Sequence, residues 1–175
     1  LRGPKDAFTE NIESNLSLIR YRIKDANLCV DTYSVGSKTK TGIAVIYLKD
    51  VANQKYVEII SEKLNSINID GVIESGYISK LISENTWDIF PKISALERSD
   101  STCTSILNGK ICILVEGSNL SLVLPCTFLE FLDSGDDHYE NIYASTFTKI
   151  LRYFTFFIPL FLSSLYIVVV SFNTD

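Results

Sequence analysis

Apolar residues at Phe8, Ile12, Leu16, Ile19 and Ile23 recur at spacings of four, four, three and four. That period places them on one helical face and predicts a helix over about 9–23. Asp6 or Thr9 is placed to cap its start, and Arg20, Arg22 and Lys24 crowd a last turn whose dipole favours cations. Two strand-like runs follow at 28–35 and 41–48, joined by a charged hairpin loop, and the second (TGIAVIYL) is apolar on both faces. Such a run suits a central strand covered on both sides. Asn53 opens a helix to about 67 with Val57, Ile60, Leu64 and Ile67 as its buried stripe, and a short helix is expected over 75–82. The loop SENTWDIFPK then carries Trp87 and Phe90, which read as covers for the core edge.

Residues 93–98 read as a strand. Ser99 or Asp100 caps a helix to Asn108, and Gly109 closes it. KICILVE is a second buried strand. Gly117-Ser118 then makes a two-residue type II′ hairpin, and the returning strand ends at Pro125. A helical turn or two is expected at 127–132, before the acidic stretch DSGDDHYE.

From about Tyr139 the pattern is helical again. Residues 136–152 form an amphipathic juxtamembrane helix able to lie along a bilayer surface. Residues 153–172, YFTFFIPLFLSSLYIVVVSF, contain no charged side chain. At ~1.5 Å per residue that helix spans about 30 Å, the thickness of a bilayer's hydrocarbon core. The expected architecture is an α/β domain over 1–135, with a mixed sheet flanked by helices, followed by the juxtamembrane helix and a transmembrane helix.

Composition narrows the function classes. The net charge is −5, and the chain before Tyr153 carries 20 acidic against 16 basic residues, without the clustered basic face of a nucleic-acid binder. Cys29, Cys103, Cys112 and Cys126 lie far apart in apolar stretches and read as reduced, buried thiols. No methionine occurs, even at position 1, so the chain is expected to be an excised part of a longer one.

No catalytic constellation is visible, and neither a cofactor nor a metal is expected. His138 stands in the acidic stretch as a solvated histidine, HExxH, GxSxG and GxGxxG are missing, and Asp133, Asp136, Asp137 and Glu140 lack EF-hand spacing. GSKTKTG fails as a phosphate-binding loop, because Thr41 stands where GxxxxGK[ST] needs glycine. Lys149 and Arg152 precede the apolar span and no basic residue follows it, so the domain is expected on the cytoplasmic side.

Several blocks resemble one known family. RGPKDAFTENIESNLSLIRYRIK is similar to the RGPREGFTE…N…LIRRRI signature of the spore germinant receptor A-subunit family. VGSKTKTGIAVIYLKDVAN, INIDGVIESGYISKLI, FPKISALERSD and LRYFTFFIPLFLSSLYIVVVSF resemble its later blocks, in the same order. Asp6-Ala7 stands where Glu-Gly is frequent, and Ser163-Ser164 where Pro-Ala is usual.

The resemblance implies a non-catalytic subunit of a receptor in the spore inner membrane, with its soluble domain on the core side. Implied partners are B and C subunits and further copies of the A subunit. The implied role is germinant-triggered ion release and signal transduction. Arg2, Gly3, Pro4, Phe8 and Glu10 would form an interface to an upstream subdomain. Alternatives are an accessory membrane protein of the dipicolinic-acid release system in the same family, a tail-anchored protein, and a membrane-bound enzyme whose site lies elsewhere.

Overall fold

The computed structural model describes residues 6–83, 93–127, 130 and 142–172, and divides into two compact units, Pro4–Phe128 and a C-terminal one that begins at Leu129. The elements are α1 (Ile12–Arg22), β1 (Leu28–Val35), β2 (Thr41–Leu48), α2 (Gln54–Ser66), α3 (Ser75–Ile82), β3 (Ser94–Leu96), α4 (Ser99–Leu107), β4 (Ile111–Val115), β5 (Ser121–Leu124) and α5 (Ile142–Phe172).

The α/β architecture with a helix-flanked sheet stands as expected. Its five strands run in the order β1-β2-β4-β5-β3. Every pairing is antiparallel, where a mixed sheet was expected. Two hairpins, β1–β2 and β4–β5, meet along β2 and β4, in register from Ile43↔Val115 to Ile46↔Cys112. Consecutive apolar residues reported coverage of both faces, which an antiparallel sheet also has when helices pack on each side. One face carries Ile43, Val45, Ile111, Ile113 and Val115 against Val57, Ile60 and Leu64 of α2 and Ile78 and Ile82 of α3. The other carries Ala44, Ile46, Leu48, Cys112 and Leu114 against Leu16 and Ile19 of α1, Cys103 and Ile106 of α4, Phe8 and Ile23. Alternate residues of one strand thus serve two cores, as a period of two requires.

The start of α1 corrects the sequence expectation. Neither Asp6 nor Thr9 caps it; the Asn11 side chain accepts from Ser14 N–H at 3.0 Å. Asp6 instead pairs with Arg22, and Thr9 is held by Asn15. Asn53 caps α2 as expected, accepting from Lys55 N–H at 3.1 Å. Helix α4 begins without a side-chain cap, because Ser99 Oγ donates to the Asp6 carbonyl and Asp100 binds Arg98. Gly109 closes that helix at φ +83°.

The expected strand at 93–98 is three residues long, Ser94–Leu96. The β4–β5 connection is wider than a two-residue hairpin. Ser118 N–H donates to the Val115 carbonyl, so Gly117, at φ +79°, takes the third position of its turn rather than the second. Cys103 and Cys112 are buried, whereas Cys29, on edge strand β1, and Cys126, past the end of β5, are half-buried rather than fully so. Trp87, Phe90, His138 and the acidic stretch lie outside the described residues, as do four of the six residues of 127–132.

In the C-terminal unit one helix runs unbroken from Ile142 to Phe172. Ser145–Ser171 is long and apolar enough to cross a membrane. It contains Pro159, which a membrane helix tolerates. Thr155 Oγ1 donates to the Leu151 carbonyl at 2.8 Å and Ser163 Oγ to the Pro159 carbonyl at 2.7 Å, so these hydroxyls take their partners from the helix itself. Lys149 and Arg152 fall in the opening turns of this stretch, whereas the sequence pattern places them just before the span.

Candidate interface site

The N-terminal segment is pinned to the α/β unit before α1 begins. Ala7 bridges Arg98, Phe8 N–H donates to the Glu97 carbonyl at 2.9 Å, and Arg22 meets Asp6 at 2.9 Å. These ties turn the Phe8 ring into the core, where it is buried as expected. The segment then rises past Thr9, held from below by Asn15. Asn15 Oδ1 accepts from Thr9 N–H at 2.8 Å, and its Nδ2 donates to the Thr9 carbonyl at 2.7 Å. An amide side chain with both ends used in this way acts like a strand neighbour for one residue.

This clamp delivers Glu10 and Asn11 to one end of the sheet. There the Glu10 carbonyl accepts from Gly117 N–H at 2.9 Å, and Glu116 Oε2 accepts from Ile12 N–H at 3.2 Å. The carboxylate thus sits at the N-terminal end of α1 and takes up one of its otherwise unpaired backbone N–H groups. The β1–β2 loop completes the surroundings by locking to the segment before α3. Ser37 N–H donates to Ile69 and Lys38 N–H to Asp70; Thr39 Oγ1 accepts from Val72 N–H, and Thr41 Oγ1 donates to the Val72 carbonyl at 2.6 Å.

The lock depends on glycine. A Cβ on Gly36, at φ +96°, would stand 2.5 Å from Thr39 Oγ1, and one on Gly71 would stand 2.7 Å from Thr39 Cγ2. These loops enclose an open groove of about 460 Å³, with Glu10, Asn11, Thr39, Lys40, Gly42 and Glu116 among its lining residues. Its chemistry is carboxylate, hydroxyl, amide and one ammonium, suited to polar contact with another chain.

Of the sequence-predicted interface residues, Glu10 lines this groove with an exposed side chain, Phe8 lies in the core, and Arg2, Gly3 and Pro4 lie outside the described residues. Sequence reasoning missed Asn15, Glu116, Thr39 and Thr41. For Asn15 a signal existed: an uncharged polar residue at a stripe position, three after Ile12 and four before Ile19. Among the described residues no group of three or more His, Cys, Asp or Glu is placed to hold a metal ion. Burial pushes the Cys103 thiol up to about 11 and the Cys112 thiol higher still, so neither is a thiolate near neutrality. Tyr47 is pushed up to about 12 by burial and by its bond to Asp31 at 3.1 Å.

Fold and groove together define an α/β domain joined by its chain to an apolar helix that fits membrane association. Over residues 1–175 the sequence matches the family described as the Bacillus/Clostridium GerA spore germination protein, and the chain belongs to that family. It is similar to spore germination protein B1 of Bacillus subtilis (39% identity over 173 residues, 99% of this chain and 36% of the relative). It is also similar to the uncharacterized membrane protein YfkQ of the same organism (31% over 175 residues, 100% of this chain and 34% of the relative). The chain spans about a third of the length of the curated relatives it matches. Its structure is similar to the crystal structure of the N-terminal domain of the A subunit of the Bacillus megaterium spore germinant receptor GerK3. That likeness has a TM-score of 0.56 at 38% identity and covers 70% of this chain and 98% of that one.

Proposed function

We propose that this chain is the membrane-proximal part of a germinant-receptor A-type subunit, a non-catalytic protein of the spore inner membrane. Its role is to help convert nutrient binding into ion release. The observation that carries this reading is the likeness to the GerK3 A-subunit domain, followed in sequence by a helix able to cross a membrane. In this reading the α/β unit faces the spore core, with Lys149 and Arg152 retained on that side. Its partners are B and C subunits and further A subunits. Arg2, Gly3, Pro4 and Glu10 form a joint to an upstream subdomain, while Phe8 anchors the joint from inside. The Glu10 carboxylate and the Glu116 rim supply polar contacts there.

The test is co-purification of the full-length protein from spore membranes. B- and C-type subunits recovered in fixed ratio support the reading. A protein recovered without them, from membranes that contain them, refutes the assembly.

A further inference from the structure

The sheet has two edges, and the chain itself closes the one at β3. Residues 6–8 lie alongside that strand: Ala7 bridges Arg98, Phe8 N–H donates to the Glu97 carbonyl at 2.9 Å, and Ser99 N–H donates to the Asp6 carbonyl at 3.4 Å. β3 is also only three residues long. β1, at the other edge, is eight residues long and pairs on one side, with β2.

The register fixes which backbone groups of β1 face outward. Lys49 N–H donates to the Asn27 carbonyl, one pair beyond Leu28↔Leu48, so alternation along the ladder turns Cys29, Asp31, Tyr33 and Val35 toward β2. Gly42 agrees with this parity, since its carbonyl accepts from Glu116 N–H and so faces β4. Val30, Thr32 and Ser34 therefore point N–H and C=O away from the sheet. Among the described residues these backbone groups have no hydrogen-bond partner.

Monomeric sheets guard such a row with lysine, proline, a bulge or an inward-pointing charge. β1 has no lysine, arginine or proline, and its pairing with β2 runs from Leu28 to Val35 without a bulge. Its one charged residue, Asp31, leans back over the sheet to accept from the Tyr47 hydroxyl at 3.1 Å, and the Tyr33 hydroxyl reaches Ser61 on α2 at 2.9 Å. Leu28, Cys29 and Val30 are half-buried, on faces that a further strand would cover.

An antiparallel strand added here must set its own outward groups against those of β1. For β1 against a second β1, two registers do so over nearly the whole strand. One puts Asp31 opposite its own counterpart, and like charges directly opposite destabilise a pair. The other puts Thr32 opposite Thr32, Val30 opposite Ser34 and Asp31 opposite Tyr33, so no charge faces its like and a Thr–Thr contact favours the pairing. The edge is thus self-complementary, as an interface about a two-fold axis requires.

We propose that β1 is an interface between two copies of this chain, paired antiparallel with Thr32 opposite Thr32. This deepens the reading above, in which further A subunits are partners, by naming a surface they share; its test does not depend on recovering B and C subunits. The full-length protein, in a Cys29→Ser background, is oxidised with copper phenanthroline in spore membranes. Thr32→Cys should give a disulfide-linked homodimer, because Cα atoms of a hydrogen-bonded antiparallel pair stand about 5.5 Å apart, within disulfide reach. Val30→Cys and Ser34→Cys, whose own counterparts lie out of reach, should each give about tenfold less alone and should link to each other when co-expressed.

Ile73→Cys, at a position 76% exposed and off the strand, measures collision alone. Ser34→Pro removes an outward N–H and leaves the ladder to β2 intact. It should lower the Thr32→Cys dimer about tenfold, through the loss of one hydrogen bond from each copy. Thr32 and Ser34 are exposed, so these variants fold. A Thr32→Cys dimer no more abundant than that of Ile73→Cys or Val30→Cys, insensitivity to Ser34→Pro, or cross-links from position 32 to a different protein in place of the homodimer would each overturn the proposal.

Discussion

Replacing Asn15 with alanine tests the clamp that sets the groove, and the sign of the effect alone is diagnostic. On a solvated helix face alanine is the better helix former by roughly 0.5 kcal/mol, so the exchange would stabilise the domain. Asn15 is instead 1% exposed and makes two hydrogen bonds to the backbone of Thr9. Each is worth about 0.5–1.5 kcal/mol net, and water reaching the exposed Thr9 keeps the figure near the lower half of that range. The truncated side chain also leaves a small void beside Leu16 and Ile19. Together these terms give a destabilisation of about 2 kcal/mol after the helix-propensity gain is subtracted. With a urea slope of ~1.5 kcal/mol/M the unfolding midpoint should fall by about 1.3 M. Hydrogen exchange should accelerate first at Thr9 and Gly117, because the Glu10 carbonyl bound by Gly117 loses its placement. A midpoint that is unchanged or raised would show that Asn15 holds nothing.

Val45→Asp places a carboxyl at a position 1% exposed, between Asp31 on β1 and Ile113 on β4. Holding it neutral at pH 7 costs about 4 kcal/mol, and lost apolar burial adds about 2, so the domain should be largely unfolded by circular dichroism. Its folded pKa lies above the unfolded value, so stability should recover as pH falls toward 4; Val45→Asn should show no such recovery. Raised pKa values keep Cys103 and Cys112 as thiols at pH 8, so mass spectrometry of the native protein should find iodoacetamide adducts on neither until the fold opens, with Cys103 alone gaining thiolate as the pH nears 11. For orientation, a membrane-impermeant thiol reagent applied to intact cells should spare a cysteine at Ser134 and label one placed just beyond Asn173. The reverse pattern would put the domain outside.

The legible part of the fold was whatever a local period encodes. The bounds of β1, β2, α3 and β4 follow from the runs LCVDTYSV, TGIAVIYL, SGYISKLI and ICILV, since each hydrophobic pattern is short and bounded by turn residues. The hairpin loops made the antiparallel β1–β2 and β4–β5 pairs legible, whereas the direction of β2 against β4 and of β3 against β5 was not, because coverage on both faces looks the same whether neighbours run parallel or antiparallel. Caps failed where a candidate had another partner, distant in sequence for Ser99 (Asp6) and near for Asp100 (Arg98) and Thr9 (Asn15). The groove was the least legible feature. Its parts come from residues 10–11, 39–42, 72 and 116–117, brought together only by the register of two hairpins and by the tie between Glu116 and Ile12. Glu10 was named from its segment, and the structure supplies the surroundings that a segment alone lacks.

The central claim is that a germination protein of this family acts through this domain, and nutrient-triggered release from spores measures it most directly. Spores carrying the full-length protein, spores lacking it and spores carrying Val45→Asp are exposed to a panel of amino acids, sugars and nucleosides while released monovalent cations and dipicolinic acid are followed. The account predicts release by the first strain for at least one nutrient, and no release by the other two for that nutrient. Release with unchanged rate and extent in all three strains, for every nutrient to which the first responds, would contradict it.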